Sequence, residues 1–380
     1  MFILLKDGDV FLNGKFEKTN VLVKYGRIIK IGPFDYKDLS HYDIEIEIID
    51  CTNHYICPGF IDSQLQLAGG SGEQGFLSQP PRILIEECIM GGITTAIGTI
   101  GVDTTTKTMS SLFGSVRAFR EAGMSSYAYT GGYEIPPQTI TGSVRSDIIF
   151  IDEIIGAGEI SIADRRAPEP SADALSRVVI DSYVAGFMTH KAGVTRIHVG
   201  EGRRKLKTIR DMCEVHEIQF ESLYITHLER SKELVREGIE IAKKGSYVDF
   251  DIHENDLELW YKYYLEIGGP PEQLSFSSDA GVSSPTELWI EIKKCVLQHK
   301  IPFEKLLPHV TTVPAQALKL PFKGTILAGN DADLIVVDKI NLDIHYVMAS
   351  GKFFFRAGKF QYSDQPYTGR RKVDWHGIRK

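Results

Sequence analysis

Pro58-Gly-Phe-Ile-Asp-Ser-Gln-Leu-Gln-Leu67 is the stretch from which the fold can be read. A Pro-Gly break opens onto a short β-favouring run, Phe60-Ile-Asp62, and two glutamines, Gln64 and Gln66, follow it. Similar runs recur at intervals of about 30 residues, the spacing of βα units around a parallel sheet. They are Ile93–Ile97, Ser126–Thr130, Gly158–Ile162, Val194–His198, Leu223–His227, Ser246–Phe250 and Leu274–Ser278, which with the first makes eight. Amphipathic stretches such as Ser231–Lys244 lie between them, with apolar residues near helical spacing. Eight strand–helix units predict an α/β fold, a (β/α)8 TIM-type barrel over residues 57–323.

The flanks read differently. Val21–Gly26 followed by Arg27–Gly32 is a hairpin pattern, and Gly324–Asp338 and Tyr346–Phe360 are strand–turn units. Residues 1–56 and 324–380 are therefore expected to form one small β-sandwich domain from both chain ends.

Composition narrows the function classes. Of the 380 residues 43% are hydrophobic and 24% charged, ordinary for a globular protein, and the net charge of −7 argues against nucleic-acid or anionic-membrane partners. The clusters Arg203-Arg-Lys205 and Arg370-Arg-Lys372 read as solvated surface, and the basic tail Gly369–Lys380 as disordered or as a subunit contact. Five scattered cysteines without CxxC spacing argue against a disulfide framework and a thiolate zinc site, and suggest a reducing, cytoplasmic setting. The apolar start Met1–Leu5 is too short for a signal peptide, and no run reaches the ~18 residues a membrane helix needs.

In such barrels chemistry gathers where strands end. His198, His227 and Asp279 sit at or just beyond the ends of strands five, six and eight, and Glu159 lies in the fourth. A lone strand-end histidine is commonly a hydrogen-bonding residue. Two histidines with a glutamate and an aspartate on four strands point to a metal site.

These residues carry a resemblance. Pro58–Asp62, His198, His227, Ser278-Asp279 and Gly329-Asn-Asp-Ala-Asp-Leu334 resemble the amidohydrolase superfamily. Gly69-Gly-Ser-Gly-Glu73, Tyr129-Thr-Gly-Gly-Tyr133, Thr139-Ile-Thr-Gly-Ser-Val144, Asp164-Arg-Arg166, Val194–Gly200, Thr226–Arg230 and Ser278–Ser283 are similar to its isoaspartyl dipeptidase (β-aspartyl peptidase) branch along nearly the entire chain. The resemblance implies two zinc ions, held by a His-x-His pair, a carbamylated lysine, two further histidines and an aspartate that shuttles protons. Here Gln64 and Gln66 replace the first histidines, and Glu159 falls where the lysine belongs. A neutral amide is a poor zinc ligand beside imidazole. One site is thus expected to be lost and one kept, with Glu159, His198 and His227 holding one Zn²⁺ per chain. That single-metal set resembles some N-acetylglucosamine-6-phosphate deacetylases. Gln64 and Gln66 either hydrogen-bond a water or substrate group or are polar lining.

The resemblance also implies roles. Asp279 would move the proton and Tyr133 would donate to the developing oxyanion. Glu73 would pair with a substrate ammonium, Arg166 and Arg230 would clamp carboxylates, and Ser283 would add a hydrogen bond. Together they suit a small zwitterionic substrate, β-aspartyl dipeptides first. Ser71 and Val102 stand where a glycine and a threonine are expected, which leaves room for another N-acyl or isopeptide-linked amino acid. The alternatives are an N-acyl amino acid or amino-sugar deacetylase, and a metal-free scaffold. The family pattern further implies a homo-oligomer.

Overall fold

A parallel strand covered on both faces needs an almost unbroken apolar sequence, and the runs named above supply it. Ile93–Gly98 and Val194–Val199 are buried along their whole length. The computed structural model describes residues 1–33, 45–252, 256–281 and 283–361. The Arg370–Lys372 cluster and the basic tail lie outside them.

Five strands precede the barrel: β1 (Phe2–Leu12), β2 (Lys15–Lys24), β3 (Arg27–Ile31), β4 (Ile46–Asp50) and β5 (His54–Pro58). Eight form it: β6 (Phe60–Leu65), β7 (Ile93–Gly98), β8 (Ser125–Thr130), β9 (Ile154–Ile162), β10 (Val194–Val199), β11 (Leu223–Thr226), β12 (Tyr247–Asp251) and β13 (Leu274–Ser277). Four follow: β14 (Leu334–Asp338), β15 (Ile344–Ala349), β16 (Lys352–Arg356) and β17 (Lys359–Phe360).

Strands β6 to β13 are parallel and pair in chain order. The two ends of this sheet meet through a Leu65–Ala280 bridge, and Gln66 N donates to Ala280 O at 2.8 Å. The barrel is thereby nearly closed. Ile61, Ile155, Val194 and Tyr224 share a buried cluster with Ala315, Ala317 and Leu318 of the segment around the helix Thr312–Ala317. Each precedes a site residue on or just past its own strand, so an apolar floor lies beneath a polar end.

The remaining strands make one continuous sheet, ordered β17-β16-β15-β14-β5-β1-β2-β3, with β4 on β1. Strand β14 pairs antiparallel with β5, which joins the two chain ends. Ile3, Val10, Val21, Ile56, Leu334 and Val336 fill a core of their own. The β2–β3 hairpin forms as read.

Several strand boundaries differ from the sequence reading, and two of these matter for the site. Strand β6 runs on through Leu65, so Gln64 is inside it. Strand β11 stops at Thr226, because His227 adopts a left-handed conformation (φ 67°) that ends the extended chain. The helix expected over Ser231–Lys244 spans Lys232–Ala242, with Ser231 as its N-cap accepting from Leu234 N. Its Gly238 lies against Leu228, where a Cβ would come within 2.3 Å of a methyl carbon, and this close seat holds the segment following His227. Among the described residues no helix is long and apolar enough to cross a membrane.

His309 gives the fold a measurable pH dependence. It is buried in the helix Phe303–Val310, against Phe276 and Tyr261, and its Nδ1 lies 2.6 Å from Leu274 O. Burial pulls its pKa down to about 4. The unfolded chain, at about 6.5, then binds more protons, so stability falls as pH drops from about 6.5 to 4. Denaturant titrations should show wild type losing on the order of 3 kcal/mol over that window relative to His309→Asn, whose amide keeps a donor there.

Candidate metal centre

Two of the barrel's four irregular pairings fall on residues that carry polar chemistry. Between β6 and β7 the register slips from Asp62 to Leu65, and between β10 and β9 from Thr195 to Ile197. An extra residue in one strand re-aims the side chains around it, here Gln64 and Glu159. Gly158, beside Glu159, has φ 133°, and a Cβ there would meet Arg196 O at 2.6 Å, so only glycine lets β9 approach β10 this closely.

Glu159, His198 and His227 converge, with one ligand atom from each lying within 4.8 Å of the others. Glu159 Oε1 is 2.8 Å from His198 Nδ1, 3.1 Å from His227 Nε2 and 3.0 Å from Gln64 Nε2. Burial opposes the charge on Glu159, yet the two imidazoles hold its carboxyl well below the usual range.

Each histidine is gripped from behind. His198 Nε2 lies 2.9 Å from Asp164 Oδ2, and His227 Nδ1 is hydrogen-bonded to Asp251. A carboxylate on the far nitrogen takes the ring N–H and turns the other lone pair inward, as metal-binding imidazoles require. Burial, with the neighbouring His227 adding to it, keeps the His198 pKa low, which favours the neutral ligand form. Burial would lower His227 as well, but Asp251 pushes it up to about 9, so its inward nitrogen gives up a proton when an ion binds. One carboxylate and two oriented imidazoles fit a divalent ion such as zinc.

Gln64 is oriented too. It is fully buried, its Oε1 accepts from Arg196 Nε at 2.7 Å, and its Nε2 donates to both Glu159 and Asp279 Oδ1 (2.8 Å). The amide oxygen faces away from the cluster. Gln66 has a buried Oε1 without a partner among the described residues. Asp279, also left-handed (φ 46°), is pushed up by burial and by the Glu159 and Asp251 charges, against the pull of His227.

The other residues singled out in the sequence spread around His198. Tyr133 Oη is 2.9 Å from its Nδ1 and is nearly sealed from solvent. Arg166 Nη2 and Arg230 Nη1 approach Nε2 at 3.1 and 3.4 Å, and Arg230 also donates to Val199 O. Arg166 is forked onto Asp164 and reaches Glu73 at 3.0 Å. Ser71 Oγ accepts from Asp103 N, which ties the Glu73 loop to the loop after β7. Ser283 Oγ is buried and has no partner among the described residues.

Four residues of this network went unread in the sequence: Asp164 as an anchor, Asp251, Asp249 and Arg196. The signal was present for three. Tyr247-Val-Asp-Phe-Asp251 sets two carboxylates at i and i+2 on one face of the seventh strand, and Arg196 interrupts an apolar strand two residues before His198.

The grip predicts its own test. Asp251→Asn and Asp164→Asn should each weaken zinc binding about 10–100-fold, as loss of such partners does elsewhere. Chelator competition on folded protein measures this.

Comparison with known proteins bears on the fold and the family. The family model described as "Amidohydrolase family" matches residues 269–363. A β-aspartyl dipeptidase from the thermophilic keratin-degrading Fervidobacterium islandicum AW-1 is 34% identical, with a TM-score of 0.89 over 95% of this chain and 99% of that one. A second structure of that enzyme, with the β-Asp-Leu dipeptide, is 33% identical with the same TM-score, over 95% of this chain and 98% of that one. Atrazine chlorohydrolase from Arthrobacter aurescens TC1 shares the fold at 14% identity, with a TM-score of 0.66 over 95% and 97% of the two chains. A dihydroorotase of Carboxydothermus hydrogenoformans is 37% identical over 81 residues, 21% of this chain and only 17% of that relative's length. With a relative one-third identical along nearly all of both chains, the chain belongs to the amidohydrolase family.

Proposed function

We propose that this chain hydrolyses the amide bond of β-aspartyl (isoaspartyl) dipeptides with one Zn²⁺ held by Glu159, His198 and His227. The observation that carries the reading is the backing of both imidazoles by Asp164 and Asp251. A scaffold has no use for two histidines oriented toward one carboxylate. The substrate class is supported by the likeness to the F. islandicum enzyme, solved with β-Asp-Leu.

When bound, the ion would supply a Lewis acid that makes a water acidic near neutral pH. Asp279 would take the proton of the attacking water on its carboxylate and pass it to the leaving amine. Its pKa, raised by burial, suits a group that must both accept and return a proton. Tyr133 donates to the oxyanion. Burial pushes its phenol well above the ordinary value, so it stays a donor throughout the working pH range.

Glu73 and Arg166 hold one another in a partly exposed ion pair. Such pairs contribute about 0–1 kcal/mol, so opening this one costs little. A substrate carrying an ammonium and a carboxylate can enter between them and leave both side chains with a charged partner. Arg230, which also approaches His198 Nε2, takes the second carboxylate. A dipeptide with a free amine and two free carboxylates uses all three groups, whereas an N-acetyl amino acid leaves Glu73 unmatched.

Purified protein should carry about one zinc per chain by elemental mass spectrometry and hydrolyse β-Asp-Leu. Cleavage of acetylated amino acids or amino sugars with none of β-Asp-Leu would favour the deacetylase alternative. Glu159→Ala should remove both metal and activity. Tyr133→Phe should keep the metal and lower kcat by about 10²–10³, the effect of removing one oxyanion donor.

A further inference from the structure

The neighbours of Gln64 leave no freedom in its amide. A guanidinium only donates, so Arg196 Nε at 2.7 Å must face Oε1. The carboxylates of Glu159 (3.0 Å) and Asp279 (2.8 Å) must then face Nε2, which uses both of its hydrogens.

Arg196 is itself sealed inside the barrel. Its Nη2 meets Asp249 Oδ2 at 2.6 Å, and its guanidinium lies 4.3 Å from the centre of the Tyr224 ring. Asp249 is secured in turn by Ser275, Ser277 and Thr226. Arg196 precedes His198 by two positions on β10, so both face the interior, with the arginine one layer beneath the ligand cluster. A buried cation therefore stands under a cluster of carboxylates, and a rigid amide connects the two.

We propose that Arg196, acting through Gln64, is a positioning group that stands in for a second cation. The guanidinium supplies the positive charge, and the Gln64 amide delivers it as hydrogen bonds to Glu159 and Asp279. A second ion is excluded because the amide presents hydrogens where a ligand would need a lone pair. The same bonds hold Glu159 Oε1 toward both imidazoles and keep Asp279 in place. The inference rests on the single-ion reading above.

Full-length wild type is to be compared with Gln64→Ala, Arg196→Lys and the double variant Arg196→Met/Asp249→Asn, which removes both members of the buried pair and leaves no uncompensated charge. The measurements are thermal melting, zinc stoichiometry, zinc affinity by chelator competition, and kcat and KM on β-Asp-Leu. Wild type should take one zinc. Folded Gln64→Ala and the folded double variant should bind it about 10–100-fold more weakly, with kcat falling more than KM. Arg196→Lys should recover part of both.

Gln64→Ala leaves the Arg196–Asp249 pair intact, so it decides the matter if the double variant does not fold. Wild-type zinc affinity and kcat in folded Gln64→Ala overturn the proposal. Two zinc ions in wild type overturn it as well. A wild type that takes no zinc overturns both this inference and the single-ion reading. The expected zinc pattern without hydrolysis of β-Asp-Leu leaves this inference standing and overturns the substrate assignment alone.

Discussion

Glu159 carries a negative charge where water does not reach, and such a charge persists only where donors surround it. Gln64 donates to it, and His198 and His227 stand beside it at 2.8 and 3.1 Å. Each of the three is held from behind by a further ionic group, namely Arg196, Asp164 and Asp251. The polar end of the barrel is thus an alternating stack of charges in which every member needs its neighbours. A half-satisfied network of this kind is worse than an apolar core, which is why the contacts extend two layers into the barrel before they meet hydrophobic side chains.

The strands make this stack possible. Side chains at i and i+2 share a face, so Arg196 with His198, and Asp249 with Asp251, set an anchor beneath each working residue. Where simple alternation would aim a residue wrongly, the register slips, as it does around Gln64 and Glu159. The left-handed His227 and Asp279 turn the chain inward at the strand ends. Non-glycine residues adopt this conformation at an energetic penalty, and here it falls on two residues of the proposed site.

Much of this was legible in the sequence because it follows from patterns of single residues. The eight apolar runs pointed to the barrel, His198, His227 and Asp279 stood out as polar residues at strand ends, and Glu159 as one within the fourth strand. What escaped was pairwise. Asp164, Asp249 and Asp251 act only through the residue each one touches, and no spacing in one sequence reveals which histidine a distant carboxylate will meet. Gln64 is the sharpest case. Its identity suggested an emptied ligand position, but the direction of its amide depends on an arginine 132 residues away along the chain.

The joining of both chain ends in one sheet has a consequence for biosynthesis. Strand β5 ends at Pro58, and its partner β14 begins only at Leu334. About 275 residues must be made in between, roughly 15–55 s at typical synthesis rates. During that interval one edge of β5, with the apolar Ile56 and Cys57, has no strand to cover it. Unpaired apolar edges invite association with other chains. The nascent protein therefore depends on shielding, by a chaperone or by the growing barrel, until β14 emerges and the sheet closes.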